Sequence, residues 1–112
     1  MNDRDRVRLR HMLDAAREAL GFAEKRTQEE LARDRMFLLA VIKETEIIGE
    51  AASRISEETR NELTSIPWQK VVGIRNRLIH AYADVDLSIV WATVTTALPE
   101  LCLLYTSDAA DE

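Results

Sequence analysis

Glycine and proline are scarce, with three and two in 112 residues. That shortage excludes a β-sandwich or barrel, which needs a turn residue every few positions. The single cysteine, Cys102, excludes an internal disulfide and a cysteine-rich zinc site. No apolar run is expected to reach the ~20 residues of a membrane span. Four of the first six residues are charged, and the segment lacks the apolar stretch of a secretory signal. No repeat or low-complexity segment is present. What remains is rich in Leu, Ala, Arg and Glu, with 46% apolar and 31% charged residues. That balance excludes a disordered chain and favours helix. The expectation is one all-α domain, cytoplasmic and without a membrane partner. A net charge of −5 argues against a general nucleic-acid binder, which usually carries a basic excess.

Apolar spacing predicts four helices. The first covers 4–25. Thr27, with Glu30 three residues on, reads as a capping box that starts a second helix over about 28–58. Gly49 inside it reads as a close helix–helix crossing. Residues 59–65 are polar and read as a connection. Ser65 caps and Pro67 opens a third helix to about residue 81, because a missing N–H costs little in the first turn. Residues 83–86 break that helix. Asp86 caps a fourth, in which Pro99 is expected to cause a kink or an early stop. Short connections between four helices give an antiparallel four-helix bundle.

The chemistry is concentrated in Arg75-Asn76-Arg77-Leu78-Ile79-His80-Ala81-Tyr82. On a helix, Asn76 and His80 are four apart and Arg77 and His80 three apart, so each pair shares a face. Arg75 precedes His80 by five residues, about 140° round the helix, and does not stack with it. The set suits phosphodiester chemistry without a metal or cofactor. Arginine offers a planar fork for phosphate oxygens, and histidine moves protons near neutral pH. Asn76 can orient either group, and Tyr82 can stack or donate a hydrogen bond. The same residues also read as a basic helix end that complements the dipole. Residue chemistry alone leaves both readings open.

The pattern Arg-x-x-x-x-His-x-Tyr resembles the signature of the HEPN superfamily, in particular its HepT-like branch. The runs Ile47-Ile48-Gly49-Glu50-Ala51-Ala52, Ile66-Pro67-Trp68 and Val85-Asp86-Leu87-Ser88-Ile89-Val90-Trp91 are similar to that branch in order and spacing. The resemblance spans roughly residues 3–101. It implies an all-helical, metal-independent endoribonuclease, the toxin of a type II toxin–antitoxin pair. Arg75 and His80 then fall on the catalytic positions, with Asn76, Arg77 and Tyr82 in support. It also implies a homodimer with both motifs in one cleft. The implied antitoxin is an MNT-type nucleotidyltransferase that transfers AMP to Tyr82. The alternative is a HEPN module that binds a nucleotide or partner and cuts nothing.

Other residues have plainer expectations. Trp68 and Trp91 read as core or interface anchors, and His11 as ordinary surface. Glu50 reads as a partner of an Arg or His, as part of a solvated face, or as one half of a buried ion pair. The domain is expected to span 1–101. Residues 102–112 resemble the translation of a transposon-end adapter used in sequencing libraries, a non-native tail after a truncated last helix. They carry three acids and no base. They are expected to add about one helical turn, with the chain frayed from Ser107 onward.

Overall fold

A computed structural model describes the backbone of residues 1–83 and 86–110. The side chain of Tyr82 and those beyond Tyr105 lie outside the described residues. The helices are α1 (Asp3–Ala23), α2 (Gln28–Arg33), α3 (Arg35–Ser53), α4 (Glu57–Glu62), α5 (Trp68–Ala83), α6 (Leu87–Ala92) and α7 (Leu98–Ala110). A single π-helical turn, Thr93–Ala97, joins α6 to α7. No strand occurs among the described residues.

The architecture is the expected four-helix bundle with small additions. Helix α3 packs between α1 and α5, and the composite last helix closes the ring against α1 and α5. Neighbours run antiparallel, as two pairings illustrate. Ser56 just beyond α3 meets Asp5 at the start of α1, and Gly49 in α3 meets Arg75 in α5. One core cluster holds Leu9, Ala16, Ile48, Ala52, Trp68, Val71, Leu98 and Leu101. A second holds Leu31, Phe37, Val41, Leu78, Val90 and Val94.

Several boundaries differ from the sequence expectation. The helix expected over 28–58 breaks at Asp34. Its carboxylate caps α3 by accepting from the Phe37 N–H at 3.1 Å. The capping box at Thr27 does not form, because the Thr27 side chain makes no cap hydrogen bond. Glu30 instead meets Arg26 at 2.5 Å, and Arg26 also reaches Asp34 at 2.7 Å. The same guanidinium lies 4.0 Å from the Phe37 ring, so one arginine ties the α1–α2 corner to α3. Within the expected connection over 59–65 the chain completes α4, capped by Ser56. Its anchor is Asp5, which is buried and accepts from the Ser56 hydroxyl at 2.6 Å and the Thr59 hydroxyl at 2.5 Å.

Pro99 does not end the last helix, which continues to Ala110. The π turn lies immediately before it and re-registers the backbone hydrogen bonds around the missing N–H. Thr93 and Thr95 donate their hydroxyls to the Ile89 and Trp91 carbonyls, 2.8 Å each. Joined in this way, Leu87–Tyr105 forms a 19-residue helix with a mean hydropathy of 1.6. Among the described residues it is the one helix long and apolar enough to cross a membrane, against the expectation of no such run. Core helices meet the same criterion, and Val90, Val94, Leu98 and Leu101 of this one are buried in the bundle. The helix also runs beyond the turn expected after Leu101, to Ala110. No glycine or proline follows Pro99 to stop it, and Ala109 and Ala110 favour helix. Cys102, Leu104 and Tyr105 pack on the first core cluster.

Candidate functional site

Helix α5 presents one apolar and one polar face. Trp68, Val71, Ile74, Leu78 and Ala81 point into the bundle. Arg75, Asn76, Arg77 and His80 are exposed. At about 100° per residue, Asn76 and His80 fall on the outward side, and Arg75 and Arg77 emerge on opposite flanks. The packing agrees with this geometry. Arg75 stands against α3, where a Cβ placed on Gly49 would lie 3.2 Å from its own Cβ. Arg77 instead borders a groove of about 390 Å³ between α5 and α7, with Lys70, Gly73, Leu98 and Leu101. Gly49 therefore marks a close helix crossing, as expected, and that crossing fixes the root of Arg75.

None of these four side chains makes a hydrogen bond or ion pair among the described residues. The outward face thus offers two guanidinium groups, an amide and an imidazole with no internal commitments. Asn76 and His80 come together as a pair four residues apart, and Arg77 stands one turn before His80. Arg75 does not join them within one chain. The side chain of Tyr82 lies outside the described residues. Among the described residues no three of His, Cys, Asp and Glu converge as metal ligands would.

Neighbouring residues resolve the plainer expectations. Glu50 pairs with Arg54 at 2.8 Å on an exposed helix face, and no contact joins it to Arg75 or His80. Trp68 is buried, and its indole N–H donates to the Leu63 carbonyl at 3.0 Å. The Arg60 guanidinium lies 5.7 Å from its ring. Trp91 packs half-buried on the second core cluster. Both tryptophans are packing residues. Cys102 is half-buried, and burial pushes its thiol pKa up, which keeps it protonated and unreactive.

Sequence reasoning missed Glu44 and a second basic surface. Glu44 is 7% exposed, and its Oε2 has no hydrogen-bond partner. Burial and then the facing carboxylate of Glu18 push its pKa up to about 7. Its spacing on the core side of α3 was the available signal. Arg4, Arg8 and His11, at four- and three-residue spacing on α1, line a groove with Glu50 and Arg54 of α3.

Among the described residues, fold and site together define an all-helical domain that exposes Arg75, Asn76, Arg77 and His80 on one helix. Residues 12–104 match the family model described as "Ribonuclease HepT-like". The chain is 33% identical over 102 residues to a "Putative RNase" of Methanocaldococcus jannaschii, covering 90% of this chain and 94% of that one. It is 36% identical over 93 residues to the "Probable ribonuclease HepT" of Thermococcus cleftensis, covering 80% and 84%. No solved structure matches. The chain belongs to the HepT-like family.

Proposed function

We propose that the protein is an endoribonuclease, the toxin of a toxin–antitoxin pair, and that it cleaves RNA without a metal ion. The observation that carries this reading is the outward face of α5. Arg75 and Arg77 flank an exposed Asn76–His80 pair, and no described residue competes for any of them. In a family whose named relatives are ribonucleases, such a face is a phosphate clamp beside a proton carrier.

The chemistry needs two proton carriers. The ribose 2′-oxygen attacks the adjacent phosphorus and the bond from phosphorus to the 5′-oxygen breaks. A base takes the 2′-hydroxyl proton, and an acid on the far side gives one to the leaving 5′-oxygen. One chain supplies a single His80 and holds Arg75 on a different flank of α5. Two chains facing across a two-fold axis would bring two His80 imidazoles and four motif arginines to one phosphodiester. The arginines would neutralise the phosphate and make a basic cleft in an acidic protein. Asn76 would orient His80.

Control by a partner follows the same chemistry. An MNT-type nucleotidyltransferase would join the Tyr82 phenolic oxygen to the α-phosphorus of ATP, with pyrophosphate leaving and the phenolic proton passing to a base. The AMP would place negative charge and bulk two residues from His80 and silence the site. The test is RNA cleavage by the purified protein with EDTA present. Cleavage that survives EDTA and disappears in His80→Ala supports the reading. Cleavage restored only by added metal refutes the metal-free step. No cleavage of any RNA favours the binding-module alternative.

A further inference from the structure

The basic surface on α1 is carried by a different helix from the motif and has no part in the chemistry above. Its groove, about 610 Å³, runs between the N-terminal half of α1 and the C-terminal half of α3. Arg4, Arg8 and His11 line one wall, and Glu50 and Arg54 the other. Three guanidinium groups therefore face one carboxylate. Glu50 is held by Arg54 at 2.8 Å. Arg8 donates to the Arg54 carbonyl at 2.6 Å, which fixes its guanidinium at the groove wall. Arg4 and His11 are exposed and make no hydrogen bond or ion pair among the described residues. The buried carboxylate of Asp5 accepts from Ser56 and Thr59, and its Oδ1 also lies 4.0 Å from the Arg8 guanidinium, a second contact that holds Arg8 in place.

The groove also adjoins the motif. Arg75 packs on Gly49, the residue immediately before Glu50. From Gly49 to Arg54 the wall of α3 advances about 7.5 Å. A strand clamped at Arg75 thus has a basic path to follow, past His11 and Arg8 toward Arg4. Val7, 54% exposed, adds an apolar surface at the groove on which a base can lie. Two held guanidinium groups, Arg8 and Arg54, and an uncommitted Arg4, with one exposed large apolar residue, suit a phosphate backbone better than a folded protein surface, which needs apolar anchors.

We propose that the α1–α3 groove binds the RNA strand outside the cleavage site, with Arg4, Arg8 and His11 contacting its phosphates. This rests on the ribonuclease reading, and binding and cleavage can be read separately. The probe is a fluorescein-labelled, mixed-sequence 20-mer of 2′-O-methyl RNA, which has no 2′-hydroxyl to attack and binds without being cut. Affinity by fluorescence anisotropy, over a range of salt, is compared for the wild type, Arg4→Glu, Arg8→Gln and Arg10→Glu. Arg10 is on the same helix, pairs with Asp14 and lies outside the groove.

Arg4→Glu and Arg8→Gln should each weaken binding about fivefold or more, and each lost phosphate contact should reduce the salt slope by about 0.7. Arg10→Glu should change affinity less than twofold. Equal losses in Arg4→Glu and Arg10→Glu would reduce the effect to net charge and overturn the groove. So would unchanged affinity in both groove variants, no binding of the 20-mer, or preferential binding of an acidic peptide. A wild type that cuts unmodified RNA while the groove variants bind normally refutes the groove alone. One that binds through the groove but cuts nothing refutes the ribonuclease reading alone.

Discussion

Replacing Glu44 with Gln removes a titrating carboxyl from the interface between α1 and α3. Glu44 is buried, its Oε2 is unpartnered, and its nearest charge is the carboxylate of Glu18. Both conditions disfavour the ionised form and raise the pKa from an ordinary 4.5 to about 7. The folded protein therefore holds a proton on Glu44 that the unfolded chain releases. Stability that depends on this proton is fully present below about pH 4.5 and is lost as pH rises through about 7. A shift of that size sets a ceiling of about 3 kcal/mol, and solvent around the exposed Glu18 lowers the expected effect to about 1–2 kcal/mol.

Glu44→Gln keeps the shape and can donate an N–H to Glu18 in place of the shared proton, but it cannot ionise. The variant should match the wild type near pH 5 and exceed it by about 1–2 kcal/mol at pH 8.5. Urea unfolding followed by far-UV circular dichroism reads this as a midpoint difference of up to about 1 M that develops between the two pH values. The other titrating groups are common to both proteins and cancel in the difference. A gap that stays constant from pH 5 to 9, or a wild type that is the more stable one at pH 8.5, would refute the reasoning.

Asp5 behaves in the opposite sense. Burial acts to raise its pKa, but hydrogen bonds from Ser56 and Thr59 outweigh it and hold the carboxyl below its usual range. Asp5→Ala should cost about 2–4 kcal/mol at pH 7 and progressively less as pH falls below 4, measured by the same unfolding curves. Gly49→Val should lower stability by about 1–3 kcal/mol and reduce cleavage by displacing Arg75, whereas Gly73→Ala, where a Cβ meets nothing within 4 Å, should raise the melting temperature. His80→Ala and Arg75→Ala should each lower kcat at least about 100-fold while unfolding within about 0.5 kcal/mol of the wild type, because neither side chain makes a hydrogen bond or ion pair among the described residues. In a reaction with a cognate nucleotidyltransferase and ATP, mass spectrometry should find adenylate on the peptide containing Tyr82 and none on Tyr82→Phe.

The bundle was legible because its core residues recur at helical spacing, and α5 was the clearest case. Leu78 and Val71 had to face inward, which forced Asn76 and His80 outward. The break at Asp34 was not legible. Its signal is one aspartate between two arginines, and its cause is Arg26, eight residues upstream. Helix α4 was hidden by its polar composition, since its burial depends on Asp5, more than fifty residues away in sequence. The last helix read as one helix that Pro99 would kink or stop early. Only the π turn makes it continuous. Arg4, Arg8 and His11 show a helical spacing in the sequence, but it takes the α1–α3 pairing to place Glu50 and Arg54 opposite them.

The position of Arg75 links fold to mechanism. It lies on the flank of α5 that packs on α3, about 140° from His80, and Gly49 holds it there by leaving room for its Cβ. A site built within one chain would call for Arg75 and His80 on a shared face, three or four residues apart. Five residues separate them, so the flank that carries the clamp and the face that carries the proton point in different directions. Under the proposed mechanism, such an arrangement would serve phosphodiester cleavage if a second α5 came up with its own outward face, so that each Arg75 would reach toward a phosphate held between two imidazoles. The spacing of Arg75 and His80 and their lack of hydrogen bonds and ion pairs among the described residues would then have one cause. On the proposed reading, these residues stay out of the described interactions because they would meet the substrate and a second chain.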